Sequence, residues 1–541
     1  MINKFSLKNV VRLLVIVAGT AAGSHGQTVS VIPKPVSIEY LDGFFTITRS
    51  TRVIAENDAA AEASKLIDAL APAMGFRLQR AIASQRRDDA IKLELNGQLS
   101  QLSDEGYELD VSAEQVVIRA RREGGLFHGI QTVLQLLPAT VLSKARVENV
   151  TWNVPCVKIV DYPRFQWRGL LVDPARHFIP MEDLLRFIDT MALHKFNSLQ
   201  IHLTDDQGWR IEIRKYPKLT ETGALMDFTT MRQGDTEASR KRPGGYYTQE
   251  DVRRLVRYAA ERYITIVPEI EMPAHTGGAI VSYPQIGLYP RKLSDLAPSQ
   301  RWKANERVLA PRPETVAFMQ DVLLEVMELF PGRYIHIGGD EANTGHWKKS
   351  EEMQALQQRL DLTDEAELHS WFIKQMDTFL TRHSRRLVGW DEILQGGLAP
   401  GATVMSWRGE QGGITAANAG HDVVMAPTSH TYFDYYQGPA EQEPRAIGGN
   451  LPLEKVYGFE PVPEAVAAEK TRHILGVQGQ LWGEYISTAE HREYMAYPRA
   501  AALAEVGWSP KASKDYESFL ARLSRHLDRL KVMGVNYRKP D

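Results

Sequence analysis

The run His336-Ile-Gly-Gly-Asp-Glu341 sets two carboxylates side by side, directly after two glycines. Other acid- and histidine-bearing runs recur along the chain. His202-Leu-Thr-Asp-Asp-Gln-Gly-Trp-Arg210 holds Asp205 and Asp206, and Pro268-Glu-Ile-Glu-Met-Pro-Ala-His275 ends in a histidine. Trp390, Trp407 and Trp482 each fall in a short polar stretch, the last in Gln480-Leu-Trp-Gly-Glu484. His-Thr-Tyr-Phe-Asp434 adds Tyr432 and Asp434, and Arg168 and Asp173 precede Arg176-His-Phe178. Flat indole rings stack on the apolar face of a pyranose, while carboxylates grip hydroxyls and move protons, so this set of side chains suits a sugar site. Each residue alone has a plainer reading, as a core tryptophan, a helix cap or a structural histidine. Their joint occurrence at the ends of several strand-like segments does not.

Those segments are apolar, β-branched runs separated by amphipathic helices. They are Gly169–Asp173, Ser198–Thr204, Ile264–Glu269, Tyr334–Gly338, Arg386–Trp390, Thr403–Trp407, Asp422–Ala426 and Ile474–Gln478. Between them, Leu184, Ile188, Met191 and Phe196 recur at helical spacing. So do Val252, Leu255, Val256 and Ala259 after a capping-box-like Thr248-Gln-Glu-Asp251. Eight strand-then-helix units predict a (β/α)8 TIM barrel over 163–510, with the polar strand ends at one mouth. A doubly wound open sheet is the rival, but no G-x-G-x-x-G follows the first strand. Before the barrel, residues 27–162 read as a small α+β support domain. Its strand-like alternation lies at Phe44–Ile47, Ile91–Leu95 and Val116–Ala120, and its helices at Ala60–Met74 and Gly124–Leu137. The tail 511–541 reads as an amphipathic helix packing on the barrel. Long loops at 215–245, 276–312 and 427–470 follow strands two, three and seven, and are expected at the rim; Ser239-Arg-Lys-Arg242 reads as a solvated part of the first.

Composition bounds the partners. The chain has 541 residues, 43% of them apolar and 24% charged, with 64 Lys and Arg against 67 Asp and Glu. A net charge of −3 argues against a dedicated nucleic-acid binder. Residues 1–26 run from Lys4, Lys8 and Arg12 through the apolar Leu13–Ala22 to small residues, the pattern of a signal peptide cut before Gln27 or after Ala22. The apolar run is too short to span a bilayer, so export to a bacterial periplasm or medium is expected, without a stable membrane anchor. Cys156 is the only cysteine, which excludes an intramolecular disulfide and any multi-cysteine metal site. His202, His275 and His336 could supply metal nitrogens, yet the first strand offers Val-Asp-Pro-Ala-Arg where an H-x-H pair would be expected. No H-E-x-x-H and no G-x-S-x-G occurs either. The expectation is a site with no metal and no cofactor.

Taken together, His336-Ile-Gly-Gly-Asp-Glu341, His202-Leu-Thr-Asp-Asp-Gln-Gly-Trp-Arg and Arg168-Gly-Leu-Leu-Val-Asp173 resemble family 20 glycoside hydrolases, the β-N-acetylhexosaminidases, over nearly the whole chain after residue 26. The resemblance implies exo action on oligosaccharides or glycoconjugates ending in β-linked N-acetylglucosamine or N-acetylgalactosamine. It implies retention by substrate assistance, family 20 being an exception to the two-carboxylate nucleophile scheme. Glu341 would be the acid and base, and Asp340 would orient the 2-acetamido group. His275 and Asp205, favoured over Asp206, would form a relay behind Glu341. Arg168 and Glu484 would grip outer hydroxyls, and Trp390, Trp407 and Trp482 would wall the acetamido pocket. Tyr432 would aim the acetamido carbonyl and Asp434 would contact hydroxyls. Mutual repulsion of the paired carboxylates would keep Glu341 protonated while Asp340 ionises. Relatives often carry Asp where Glu271 stands and Gly where Ala274 stands, so the role of Glu271 is open. The alternatives are a silent carbohydrate-binding barrel, which the intact Asp340–Glu341 pair opposes, and a chitinase, whose Asp-x-Asp-x-Glu strand is absent.

Overall fold

The computed structural model describes residues 29–81, 88–225, 244–289 and 308–540; the signal-peptide segment and Ser239–Arg242 lie outside them. Seven strands come first: β1 (Ser37–Ile47), β2 (Arg52–Ala55), β3 (Gln79–Ala81), β4 (Ala90–Leu95), β5 (Tyr107–Val111), β6 (Gln115–Ala120) and β7 (Trp152–Asp161). They form one mixed sheet in the order β1-β7-β5-β6-β4-β2-β3. Its buried side packs with the helices Ala60–Met74 and Glu123–Leu136 in a core that includes Leu66, Leu70, Ile118 and Val133. The second helix is buried on nearly every face, because Phe127 on its other side joins the barrel core. That is why it lacks a polar stripe.

The barrel strands are β8 (Trp167–Val172), β9 (Ser198–His202), β10 (Thr265–Glu269), β11 (Tyr334–His336), β12 (Arg386–Trp390), β13 (Thr403–Ser406), β14 (Val423–Met425) and β15 (Ile474–Leu481). All eight pair in parallel with their chain neighbours, and β15 closes on β8 through six partnered residues. These are the eight predicted segments, each within a few residues. The helices between them start as the sequence indicates: Thr248 and Asp251 exchange both bonds of a capping box at the helix Gln249–Ala260. No helix among the described residues is long and apolar enough to cross a membrane.

The two units are joined by buried polar contacts at the N-terminal end of the barrel. Asp161 at the end of β7 accepts from Lys195 Nζ at 2.8 Å, Tyr107 at 2.7 Å and Trp508 Nε1 at 2.8 Å. Arg168 forks onto Glu105 of the support domain, at 2.5 and 3.1 Å, and also donates to the carbonyls of Phe165 and Lys195. Glu105 is held far below the usual carboxylate range: burial opposes this, and Arg168 and then His128 overcome it. The helix Tyr516–Val532 packs on the barrel through Phe519, Leu523 and Leu530 and also reaches the support domain. Its Arg529 donates to the carbonyls of Ser30 and Gln135, while His526 meets His194 across 2.8 Å.

Removing Arg168 would strand Glu105 without its charge partner. Arg168→Met is expected to cost about 3 kcal/mol of unfolding free energy. Adding Glu105→Gln should recover most of it, as a double-mutant denaturation cycle would read. Additive losses would break the assignment.

Candidate active site

The C-terminal strand ends converge on a cavity of about 300 Å³ lined by Arg176, His202, His275, Asp340, Glu341, Trp390, Trp407, Tyr432, Asp434, Trp482 and Glu484, with Thr428, Tyr435 and the Ile447–Gly449 segment closing one side. This is the small end of the range for ligand pockets, roughly 300–1,000 Å³. A larger hollow, about 600 Å³, opens at the other end of the barrel beside Trp167, Tyr263 and Tyr334, but it contains none of the paired acids.

After β11 the chain turns through Gly338 (φ 70°) and Gly339 (φ 92°). A Cβ on Gly338 would sit 1.7 Å from Glu271 Oε2, so only glycine lets this turn close over that carboxyl. The turn delivers Asp340 and Glu341 to the mouth, and Glu341 itself takes φ 48°. Strained backbone of this kind is held in place by its surroundings and gathers at functional sites. His275, at φ 51°, faces the pair: its Nε2 lies 3.5 Å from Asp340 Oδ2 and 3.4 Å from Glu341 Oε2. Its Nδ1 lies 3.4 Å from Asp205 and 3.9 Å from Asp206. Asp205 also receives Arg176 Nη2 and His202 Nε2, both at 2.7 Å.

The charge pattern follows from this interleaving. Burial alone would lower His275, but Asp205 and then Asp340 hold it well above its ordinary value. Burial likewise opposes the charge on His202, yet Glu269 and Asp205 push it up to about 10. Asp206, buried beside Asp205, is pushed up to about 6. Glu271 stays neutral well above the carboxylate range, because it is buried and then faces Asp340 and Glu269. Glu341 departs from the expectation built on carboxylate repulsion. The hydrogen bond from His275 lowers it, outweighing burial, and its side chain is 56% exposed. The geometry therefore sets a His275 imidazolium against a Glu341 carboxylate.

The aromatic wall is built from three strand ends. Trp390 Nε1 donates to Glu269 Oε1 at 2.9 Å, and Trp407 Nε1 to Glu392 Oε2 at 2.9 Å. Glu392 is raised to about 7 by burial and by Asp340. Tyr432 stacks with Trp407 at 6.1 Å and 22°, and Trp482 lies 5.6 Å from Trp390. The loop after β14 folds back over the mouth and carries Tyr432 and Asp434. Asp340 Oδ1 and Asp434 Oδ1 are buried acceptors with no hydrogen-bond partner among the described residues.

Arg168 does not belong here. It is the second residue of β8, at the opposite end of the barrel, and is engaged with Glu105. The arginine at the mouth is Arg176, beyond the C-terminal end of β8. It bridges Asp173 at 3.0 Å and Asp205, and lies 5.1 Å over the Trp482 ring. Strand direction would have separated the two arginines, since only residues at or past the C-terminal end of a barrel strand reach the mouth. Glu269 and His202, inside the quoted motifs, and Glu392, two residues past Trp390, are further members to which the family resemblance assigned no role.

The description "Glycosyl hydrolase family 20, catalytic domain" matches residues 165–511, and "Glycosyl hydrolase family 20, domain 2" matches 28–162. The chain belongs to glycosyl hydrolase family 20. It is 44% identical over 520 residues to a β-hexosaminidase of Porphyromonas gingivalis, covering 95% of this chain and 65% of that protein, just under two thirds of its length. A family 20 exo-β-N-acetylglucosaminidase from Vibrio harveyi, solved with N-acetylglucosamine, superposes with a TM-score of 0.83 at 34% identity, covering 95% of this chain and 78% of that one. A family 20 β-N-acetylhexosaminidase from Streptomyces coelicolor gives 0.80 at 31%, covering 94% and 97%.

Arg176→Met should remove a cation from both Asp205 and the cavity. We expect kcat/KM to fall by roughly a hundredfold or more, as for loss of a charged partner worth about 3 kcal/mol. Arg168→Met, assayed well below its melting point, should keep KM within about twofold. A reversed ranking in steady-state kinetics would return Arg168 to the site.

Proposed function

We propose that the chain is an exo-acting β-N-acetylhexosaminidase, a glycoside hydrolase that removes terminal non-reducing β-linked N-acetylglucosamine or N-acetylgalactosamine. The observation that carries this is the Asp340–Glu341 pair sharing the His275 imidazole at the rim of a cavity walled by three tryptophans. A cavity of this size admits one sugar ring and so reads a chain end. The orphan acceptors suit the donors of such a ring: Asp340 Oδ1 the acetamido N–H, and Asp434 Oδ1 a hydroxyl. Arg176 and Glu484 take the place at the outer hydroxyls that Arg168 cannot fill. The first 26 residues support export, with glycans rather than nucleic acid as substrate.

The reaction proceeds by substrate assistance. The acetamido oxygen, aimed by Tyr432, attacks the anomeric carbon as the C1–O bond breaks. Glu341 gives its proton to the leaving oxygen, and Asp340 stabilises the oxazolinium cation. Water then opens the ring from the same face as the departed group, giving its proton to Glu341. Before a sugar binds, the proton rests on His275. Sugar binding covers the exposed Glu341 carboxyl and raises it by desolvation, which favours transfer from His275 Nε2 to Glu341. Asp205 and Arg176 fix the charge behind this step.

Two measurements test the reading. The protein should hydrolyse p-nitrophenyl N-acetyl-β-glucosaminide and release a β-configured sugar first by NMR, while β-glucosides stay nearly inert in kcat at saturation. An internal nucleophile is worth effective molarities of roughly 10⁵ M or more, far beyond a few lost hydrogen bonds; efficient turnover of a 2-hydroxy glycoside would refute assistance. Glu341→Gln should lose roughly 10²-fold or more with poorly acidic leaving groups, and much less with very acidic phenols. Equal losses would remove Glu341 from the acid role.

A further inference from the structure

Glu269, the last residue of β10, points into the barrel and is wholly buried. Interiors of such barrels are usually filled with branched aliphatic side chains. This carboxylate is instead surrounded by donors. On Oε2 it accepts His202 Nδ1–H at 2.6 Å and a Gln200 amide N–H at 2.8 Å. On Oε1 it accepts the Trp390 indole at 2.9 Å, with His336 Nδ1 at 3.1 Å. The Gln200 amide is itself fixed: its oxygen takes Gln478 Nε2 at 2.7 Å, and Gln478 takes Trp167 Nε1 at 3.0 Å. Gln200 must therefore present its N–H to Glu269.

We propose that Glu269 is a positioning residue that sets the acid–base relay and the acetamido wall together, through its two oxygens. One oxygen binds His202 Nδ1–H, and His202, an imidazolium between two carboxylates, donates its other N–H to Asp205 at 2.7 Å. That contact turns the second Asp205 oxygen toward His275, which meets Glu341. The other oxygen holds the Trp390 ring, which lies 5.6 Å from Trp482 across the pocket. A histidine fixed by an outer carboxylate keeps its tautomer and ring plane. Here the same outer group also orients a substrate-contacting ring. A glutamine at this position cannot serve both arms, because its NH2 must face either the His202 donor or the Trp390 donor.

The inference rests on the acid–base reading proposed above, and the unsubstituted protein's turnover of aryl N-acetyl-β-glucosaminides tests that reading by itself. Glu269→Gln is then compared with it over a series of phenol leaving groups and with N-acetylglucosamine thiazoline, a mimic of the cyclised intermediate. The expected result is a loss of roughly 10²-fold in kcat/KM for phenyl but less than about tenfold for 2,4-dinitrophenyl, together with a thiazoline Ki raised more than about tenfold. His202→Gln, which leaves Glu269 in place, should reproduce the leaving-group effect. A uniform loss across leaving groups, or a change in only one of the two readouts, overturns the proposal. If Glu269→Gln does not fold, His202→Gln decides, and an unchanged leaving-group dependence in that variant overturns it.

Discussion

Crowding many carboxyl groups into one barrel mouth is electrostatically adverse, and the whole site is arranged around that constraint. Asp173, Asp205, Glu269, Asp340 and Glu484 press on one another through a low-dielectric wall. Arg176, His202 and His275 are set between them, each shared by at least two acids. At Glu271 burial, then Asp340 and Glu269, outweigh the nearby histidines, and the carboxyl is held well above the carboxylate range instead. The result is an alternation of charge from the barrel interior outward. It makes the protonation state of any one acid a property of its neighbours rather than of its own burial.

Much of this was legible in the sequence, for physical reasons. Barrel strands buried on both faces read as short apolar runs, and each ends where the chain must bear polar side chains, so all eight could be placed. The carboxylates and the three tryptophans that line the cavity stood out because they sit at or just past those ends, whereas Tyr432, seven residues beyond β14, came from the family resemblance. Arg168 was misplaced because an arginine at a strand start and one past a strand end look alike until strand direction is applied. The protonation of Glu341 was misjudged because the dominant contact, His275, arrives from a segment 66 residues away. Repulsion between chain neighbours is visible in a motif; a hydrogen bond across the mouth is not. Glu269 passed unremarked because nothing local distinguishes a carboxylate aimed inward from one that caps a turn.

The support domain supplies none of the described residues that line the cavity and meets the barrel from its other end. Its contacts enter at the N-terminal end of β8, where Arg168 and Glu105 lock the strand that five residues later supplies Asp173 to Arg176. A strand fixed at both ends has little freedom to slide, and placement within about half an ångström is what catalytic groups require.

Ser30 Oγ donates to the carbonyl of Arg522 across 492 residues of chain, and Arg522 returns a bond to the carbonyl of Val31. The earliest described segment is thus seated by the latest helix. The same segment is also held within its own unit: Val29 and Val31 lie in the support-domain core, and Ile32 exchanges both backbone bonds with the Gln135 amide. The clasp from residues 30–31 to Arg522 is of another kind: loop closure over so many residues makes it a contact that can form only once the helix Tyr516–Val532 is in place, tying two distant stretches of chain into one seam.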